Sequence, residues 1–202
     1  SGAATGGQYG ISAFGSDNTI TNSGTAMGDG GSGIGIGAEG DDNKITNSGT
    51  ATGRSMGIYA IGTGNTITNS GTATGAFGIL AQGSNNTITN SGKIIGGEAA
   101  VYFDGTDNTL TLLAGSNVQG ILDLGPKVPG YNTLVIGRRL STALTYLGGE
   151  GVILDTSGMP FVSSGGILAV VDPTLFSAEG DMLNDLTRSL ADLVDARLGS
   201  AR

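Results

Sequence analysis

The phrase Asn-Thr-Ile-Thr-Asn-Ser-Gly-Thr-Ala runs from Asn18 to Ala26 and returns at Asn43 to Ala51, with Lys44 for the first threonine, and at Asn65 to Ala73. Looser copies start at Asn86 (Asn86-Thr87-Ile88-Thr89-Asn90-Ser91-Gly92), Asn108 (Asn108-Thr109-Leu110-Thr111-Leu112) and Asn132 (Asn132-Thr133-Leu134-Val135-Ile136). The starts lie 25, 22, 21, 22 and 24 residues apart. A unit this short cannot bury its own apolar face, whereas stacked copies of it can, so the period predicts a solenoid. Ser1-Gly2 matches Ser23-Gly24 at a distance of 22, which reads as a start inside a repeat with more copies expected upstream.

A second phrase lies between the first ones: Tyr9-Gly10-Ile11-Ser12-Ala13, Ile34-Gly35-Ile36-Gly37-Ala38, Met56-Gly57-Ile58-Tyr59-Ala60, Phe77-Gly78-Ile79-Leu80-Ala81 and Ala99-Ala100-Val101-Tyr102-Phe103. Apolar residues at 77, 79 and 81 alternate with small or polar ones, the two-residue period of a strand with one buried face. Each unit thus offers three short strands, around Ile67, Ala73 and Ile79, separated by Gly, Asn, Asp and Ser turn clusters. Stacking at the inter-strand spacing of about 4.8 Å places like on like. Ile20, Ile45, Ile67, Ile88, Leu110 and Leu134 form an internal column. Alanines 13, 38, 60 and 81 form a second, widened by Phe103. Asn22, Asn47, Asn69 and Asn90 form an amide ladder at a turn. The predicted fold is all-β: a right-handed parallel β-helix with three short strands per coil of about 22 residues, followed by a C-terminal α-helix. A β-sandwich of hairpins is the competing reading, but hairpins do not require the same residue every 22 positions.

Composition narrows the chemistry. The 202 residues carry 9 basic and 17 acidic side chains, and neither His, Cys nor Trp occurs. A thiolate nucleophile, an imidazole base and an ordinary zinc site are therefore excluded, as are disulfides. A net charge of −8 opposes binding to nucleic acid or anionic lipid. No apolar run is long enough to span a membrane as a helix.

The pattern changes toward the C-terminus. Regular coils are expected over 1–125. Pro126-Lys127-Val128-Pro129-Gly130 reads as a projecting loop. Irregular capping coils are expected over 126–171, including the runs 151–155 and 167–171. Asp172-Pro173 is a helix-start signal, with Asp as N-cap and Pro at the first helical position. Apolar residues at Leu175, Phe176, Met182, Leu183, Leu186, Leu190, Leu193, Val194 and Leu198 then mark one face of an amphipathic helix over 172–202.

These residues resemble the passenger domains of bacterial autotransporters (type V secretion). The resemblance rests on the alternating Gly-Ile-x-Ala and Asn-Thr-Ile-Thr-Asn-Ser-Gly-Thr-Ala phrases, and on the run Asp107-Asn108-Thr109-Leu110-Thr111-Leu112-Leu113-Ala114-Gly115-Ser116. The tail Val170-Val171-Asp172-Pro173-Thr174-Leu175-Phe176 is similar to the segment joining passenger to translocator. The resemblance implies a β-helix exported to the bacterial surface through an outer-membrane β-barrel, with 172–202 as the linker inside the pore and no barrel in this chain. That barrel would be its partner, with a host surface or another copy as a further one. It also implies that residues 101–171 act as a folding seed. The expected role is a non-enzymatic stalk that displays an upstream adhesive or effector region and aids export and folding.

Three candidate sites are weighed against this. Asp17, Asp41, Asp42, Asp104 and Asp107 fall near one turn of successive coils and would suit a carbohydrate-active β-helix enzyme if paired about 5 to 9.5 Å apart. Asp and Asn are also the ordinary residues of such turns, and Thr63-Gly64 and Ser84-Asn85 break the column. Calcium would suit stacked Asp and Asn oxygens, but the glycine-rich calcium nonapeptide is absent. Gly28-Asp29-Gly30-Gly31-Ser32-Gly33 follows no nucleotide-binding pattern and accounts for the longer second coil. The expectation is no catalytic residue, no metal and no cofactor. Tyr59, Leu80 and Tyr102 lie between the buried positions of the second phrase and are expected to form an outward stripe, a contact site if contiguous. In that case the fragment would itself be an adhesin.

Overall fold

The structure, a computed structural model, describes residues 2–125 and 130–174. The chain divides into two units, 1–171 and 172–202. The first is a parallel β-solenoid of about seven turns. The loop expected over 126–130 and the helix expected over 172–202 lie mostly outside the described residues. At the start of the second unit, the Asp172 carboxylate accepts hydrogen bonds from the Thr174 N–H at 2.9 Å and its hydroxyl at 2.7 Å. That is N-cap geometry.

Each regular coil supplies three strands. The first set carries the Asn-Thr-Ile phrase and stacks into a seven-stranded sheet from Thr19–Asn22 to Val152–Asp155. Its register is unbroken: Ile20 pairs with Ile45, then Ile67, Ile88, Leu110, Leu134 and Leu154. The isoleucines from Ile45 to Ile88 and both leucines Leu110 and Leu134 are wholly buried. The second set carries the Thr-Ala dipeptide and stacks Ala4, Ala26, Ala51, Ala73, Ile94 and Val118. The third, the Gly-Ile set, stacks Ala13, Ala38, Ala60, Ala81 and Phe103. Alanine fits these two columns while the coil is narrow. From the fifth coil Ile94 and Phe103 replace it, and the interior widens.

The glycine of the Gly-Ile pair is required by close approach. A Cβ at Gly35 would lie 2.5 Å from the Thr52 N, and one at Gly57 2.5 Å from the Thr74 N, so the backbone of one coil presses on the Thr-Ala strand of the next. Only Gly permits this contact without displacing backbone.

Two asparagine ladders run along the axis. In the ladder expected from the sequence, Asn22 Nδ2 donates to Asn47 Oδ1 at 2.8 Å, Asn47 to Asn69 at 2.7 Å, and Asn69 to Asn90 at 2.7 Å. A second ladder lies at the other end of the same strands. The backbone N–H of Asn18 donates to Asn43 Oδ1 at 2.9 Å, and Asn43, Asn65, Asn86 and Asn108 repeat the bond to Asn65, Asn86, Asn108 and Asn132 at 2.8 to 2.9 Å. These side chains are buried from Asn43 onward, where an unmade hydrogen bond is expensive.

The last coils depart from a simple continuation. Val152–Asp155 joins the first sheet in parallel. Ile167–Val170 instead pairs antiparallel with Thr142–Leu147 and with Phe161–Ser164. Gly165 and Gly166, at φ of 58° and 78°, make the two-residue turn that a tight hairpin needs. An antiparallel strand ends the parallel stacking at that face.

Candidate interaction face

The outward positions of the first two sheets are mainly threonine, such as Thr66, Thr68, Thr50 and Thr52. The Gly-Ile sheet is different. Alternation alone groups Phe77 with the buried Ile79 and Ala81. The structure instead turns Phe77 outward, because Gly78 and Ile79 both face inward and break the alternation between them. Gly78 faces inward: a Cβ there would meet the side chain of buried Ile94 at 2.5 Å. Gly and Ile thus occupy consecutive interior positions in the first four phrases, as Ala100 and Val101 do in the fifth, and the residue before them falls on the outer side, where Ile34 and Ala99 are still covered. The Gly-Ile pair of the first four phrases was the available signal for this.

The outer face therefore has three columns. The first is Tyr9, Ile34, Met56, Phe77 and Ala99; the second is Ser12, Gly37, Tyr59, Leu80 and Tyr102; the third is Phe14, Glu39, Ile61, Gln82 and Asp104. Six aromatic residues precede Gly125, and five of them stand here, Phe103 being in the core. The sequence expectation named Tyr59, Leu80 and Tyr102, and these do lie on adjacent coils in register. Tyr59 and Tyr102 are half-buried, whereas Leu80 is only 9% exposed. The face is a covered apolar mound rather than an open stripe of three side chains. Sequence reading missed Tyr9 and Phe77, since period-two alternation does not foresee two consecutive inward residues, and it missed Phe14, which lies one position beyond the second phrase.

Contacts across coils hold the face together. Phe77 and Tyr102 meet edge to face with centroids 5.3 Å apart, and Tyr9 and Phe14 do so at 5.9 Å. The Tyr9 ring lies over Gly37, where a Cβ would be 2.7 Å from it. Its hydroxyl donates to Glu39 Oε1 at 2.7 Å. Tyr59 reaches Gln82 Oε1 at 3.5 Å. Burial, then the hydrogen bond and the charge of Glu39, push the Tyr9 hydroxyl up to about 12. Burial and the carboxylates of Glu39 and Asp104 also raise that of Tyr59.

The carboxylates weighed for catalysis have turn and edge roles. Asp17, Asp42 and Asp107 sit with Gly64 and Asn85 in one column of positive φ, from 54° to 75°. Asp, Asn and Gly are the residues that tolerate this conformation, so the column selects backbone shape rather than acidity. Asp41 Oδ1 accepts from the Thr63 N–H at 2.7 Å, bridging two coils. Asp104 is apart from them, at the end of strand Lys93–Asp104. Among the described residues no cluster of three acidic side chains is placed to hold a metal ion.

Comparison with protein-family models, with curated proteins and with solved structures gave no match to this chain.

Proposed function

We propose that this chain is a structural spacer of a surface-displayed protein, the β-helical stalk of an autotransporter-like passenger. Its work is to hold an upstream region away from the membrane and to help that region through export. The observation that carries this reading is the unbroken register from Ile20 to Leu154. Seven strands at about 4.8 Å each give a rod of roughly 29 Å. An aliphatic ladder through its length and amide ladders along most of it make each coil brace its neighbours. The antiparallel hairpin at residues 161–170 suits the membrane-proximal end of such a rod, because it stops further stacking on that side.

The test places the chain between an epitope tag and an outer-membrane β-barrel translocator in a bacterium. The expected result is an epitope reached by antibody on intact cells, with the solenoid resisting protease there. Retention of the epitope inside the outer membrane would overturn the display role.

A further inference from the structure

The Gly-Ile face combines aromatic side chains with carboxylates and lacks basic ones. Its strands Tyr9–Phe14, Ile34–Glu39 and Met56–Ile61, with residues 77–82 and 99–104, contain no Lys or Arg. Glu39 and Asp104 stand in the same column, three coil steps apart through Ile61 and Gln82. Three steps span about 14 Å. Tyr59, Leu80 and Tyr102 lie alongside, in the neighbouring column. Arg54 and Glu98 lie beyond the opposite margin, one before Met56 and the other before Ala99.

We propose that this face binds an extended polypeptide segment carrying two arginine or lysine side chains about four residues apart. An extended chain advances about 3.3 to 3.6 Å per residue, so residues i and i+4 span the separation of the two carboxylates. Each cation then meets a carboxylate, and the tyrosine rings between offer cation–π contact to the same groups. Charge complementarity selects this occupant over a neutral sugar, which would use the rings but not the two carboxylates. The proposal concerns what the face holds and stands whether or not the chain is exported as a stalk.

The test is fluorescence anisotropy of a dye-labelled peptide with two arginines four positions apart in a Ser/Thr background, titrated with the full chain. Its counterpart has citrulline for arginine, which keeps the shape and removes the charge. The arginine peptide is expected to bind at least about tenfold more tightly than the citrulline peptide. The pair Glu39→Gln and Asp104→Asn is expected to remove about the same factor, and Tyr59→Ser with Tyr102→Ser several-fold. Asp17→Asn with Asp42→Asn subtracts equal charge from a turn and is expected to change binding less than twofold. Equal binding of the two peptides on the unaltered chain overturns the proposal, and that comparison needs no variant to fold. So does an equal loss in the turn variant, which would indicate net charge alone. Binding of a neutral glucan with none of the arginine peptide overturns it in favour of a sugar site.

Discussion

The side-chain amide of Asn69 donates to Asn90 Oδ1 at 2.7 Å, with both residues wholly buried between consecutive coils. The same Nδ2 group also reaches the Lys93 carbonyl at 3.2 Å, and Asn69 Oδ1 receives the Asn47 amide. Replacing Asn69 with Ala leaves the Asn47 donor and the Asn90 acceptor facing a void. The expected loss is about 3 kcal/mol, measured as a shift in the urea midpoint at constant slope. Asn90→Leu is expected to lose less, about 1 kcal/mol. Leu112 already occupies the equivalent position one coil on, and Asn69 keeps its carbonyl acceptors.

Phe103 is the largest fully buried side chain and stands where four earlier coils use alanine. Phe103→Ala would therefore leave a cavity in a coil already widened to receive the ring. A loss of about 3 to 5 kcal/mol is expected in equilibrium unfolding. A loss below about 1 kcal/mol would mean that the coil narrows on its own.

Gly57→Ala sets a Cβ 2.5 Å from the Thr74 N and 2.6 Å from the Gly78 O, both backbone atoms. The neighbouring coil cannot yield without breaking its ladder, so the expected loss is about 2 kcal/mol or more. Ala100 holds the equivalent place in the wider fifth coil. Ala100→Gly is accordingly expected to cost only about 1 kcal/mol, chiefly through unfolded-chain entropy. Thermal unfolding of the two variants side by side checks the contrast.

Asp42 has φ of 54° and Asn85 of 58°. Substitution of either by Ala is expected to cost about 1 to 2 kcal/mol, and by Gly almost nothing. Were carboxylate chemistry the reason for this column, Asp42→Gly would abolish a polysaccharide-cleaving activity while Asn85→Gly would not. The conformational account expects the two positions to behave alike in stability and neither to gate an activity.

Tyr9 provides a pH test. Its folded-state hydroxyl is raised from 10.0 to about 12, so the folded chain favours the protonated form. That contribution is complete below about pH 10 and is lost as pH rises toward 12. Tyrosinate absorbance is expected to show late titration of both Tyr9 and Tyr59, with the component near pH 12 lost in Tyr9→Phe. Glu39→Gln removes the charge and leaves only a neutral acceptor beside the hydroxyl, so the titration should move part of the way down toward the ordinary value, the effect of burial remaining. An unchanged titration in both variants would place the late hydroxyl elsewhere.

The recurrence of Ile20, Ile45, Ile67 and Ile88 at near-constant spacing fixed stacking, because a 22-residue unit has no other way to hide an isoleucine. The Asn22 to Asn90 ladder and the alanine column were legible for the same reason: like residues at like positions must coincide once coils are stacked. Other features depend on backbone geometry that periodicity does not encode. The second ladder, from Asn18 to Asn132, exists because the side chains from Asn43 onward turn to cap the preceding coil's strand-entry N–H groups. Phe77 faces outward because Gly78 and Ile79 both turn inward and break the alternation, and Leu80 is shielded because larger neighbours stand on both adjoining coils. The broken acidic column became coherent only through φ, which Asp, Asn and Gly share. The reversal at Gly165-Gly166 likewise depends on two positive-φ residues bringing Ile167–Val170 back against Phe161–Ser164. Repetition decided that the chain winds; tertiary geometry decided which side chains the winding leaves outside.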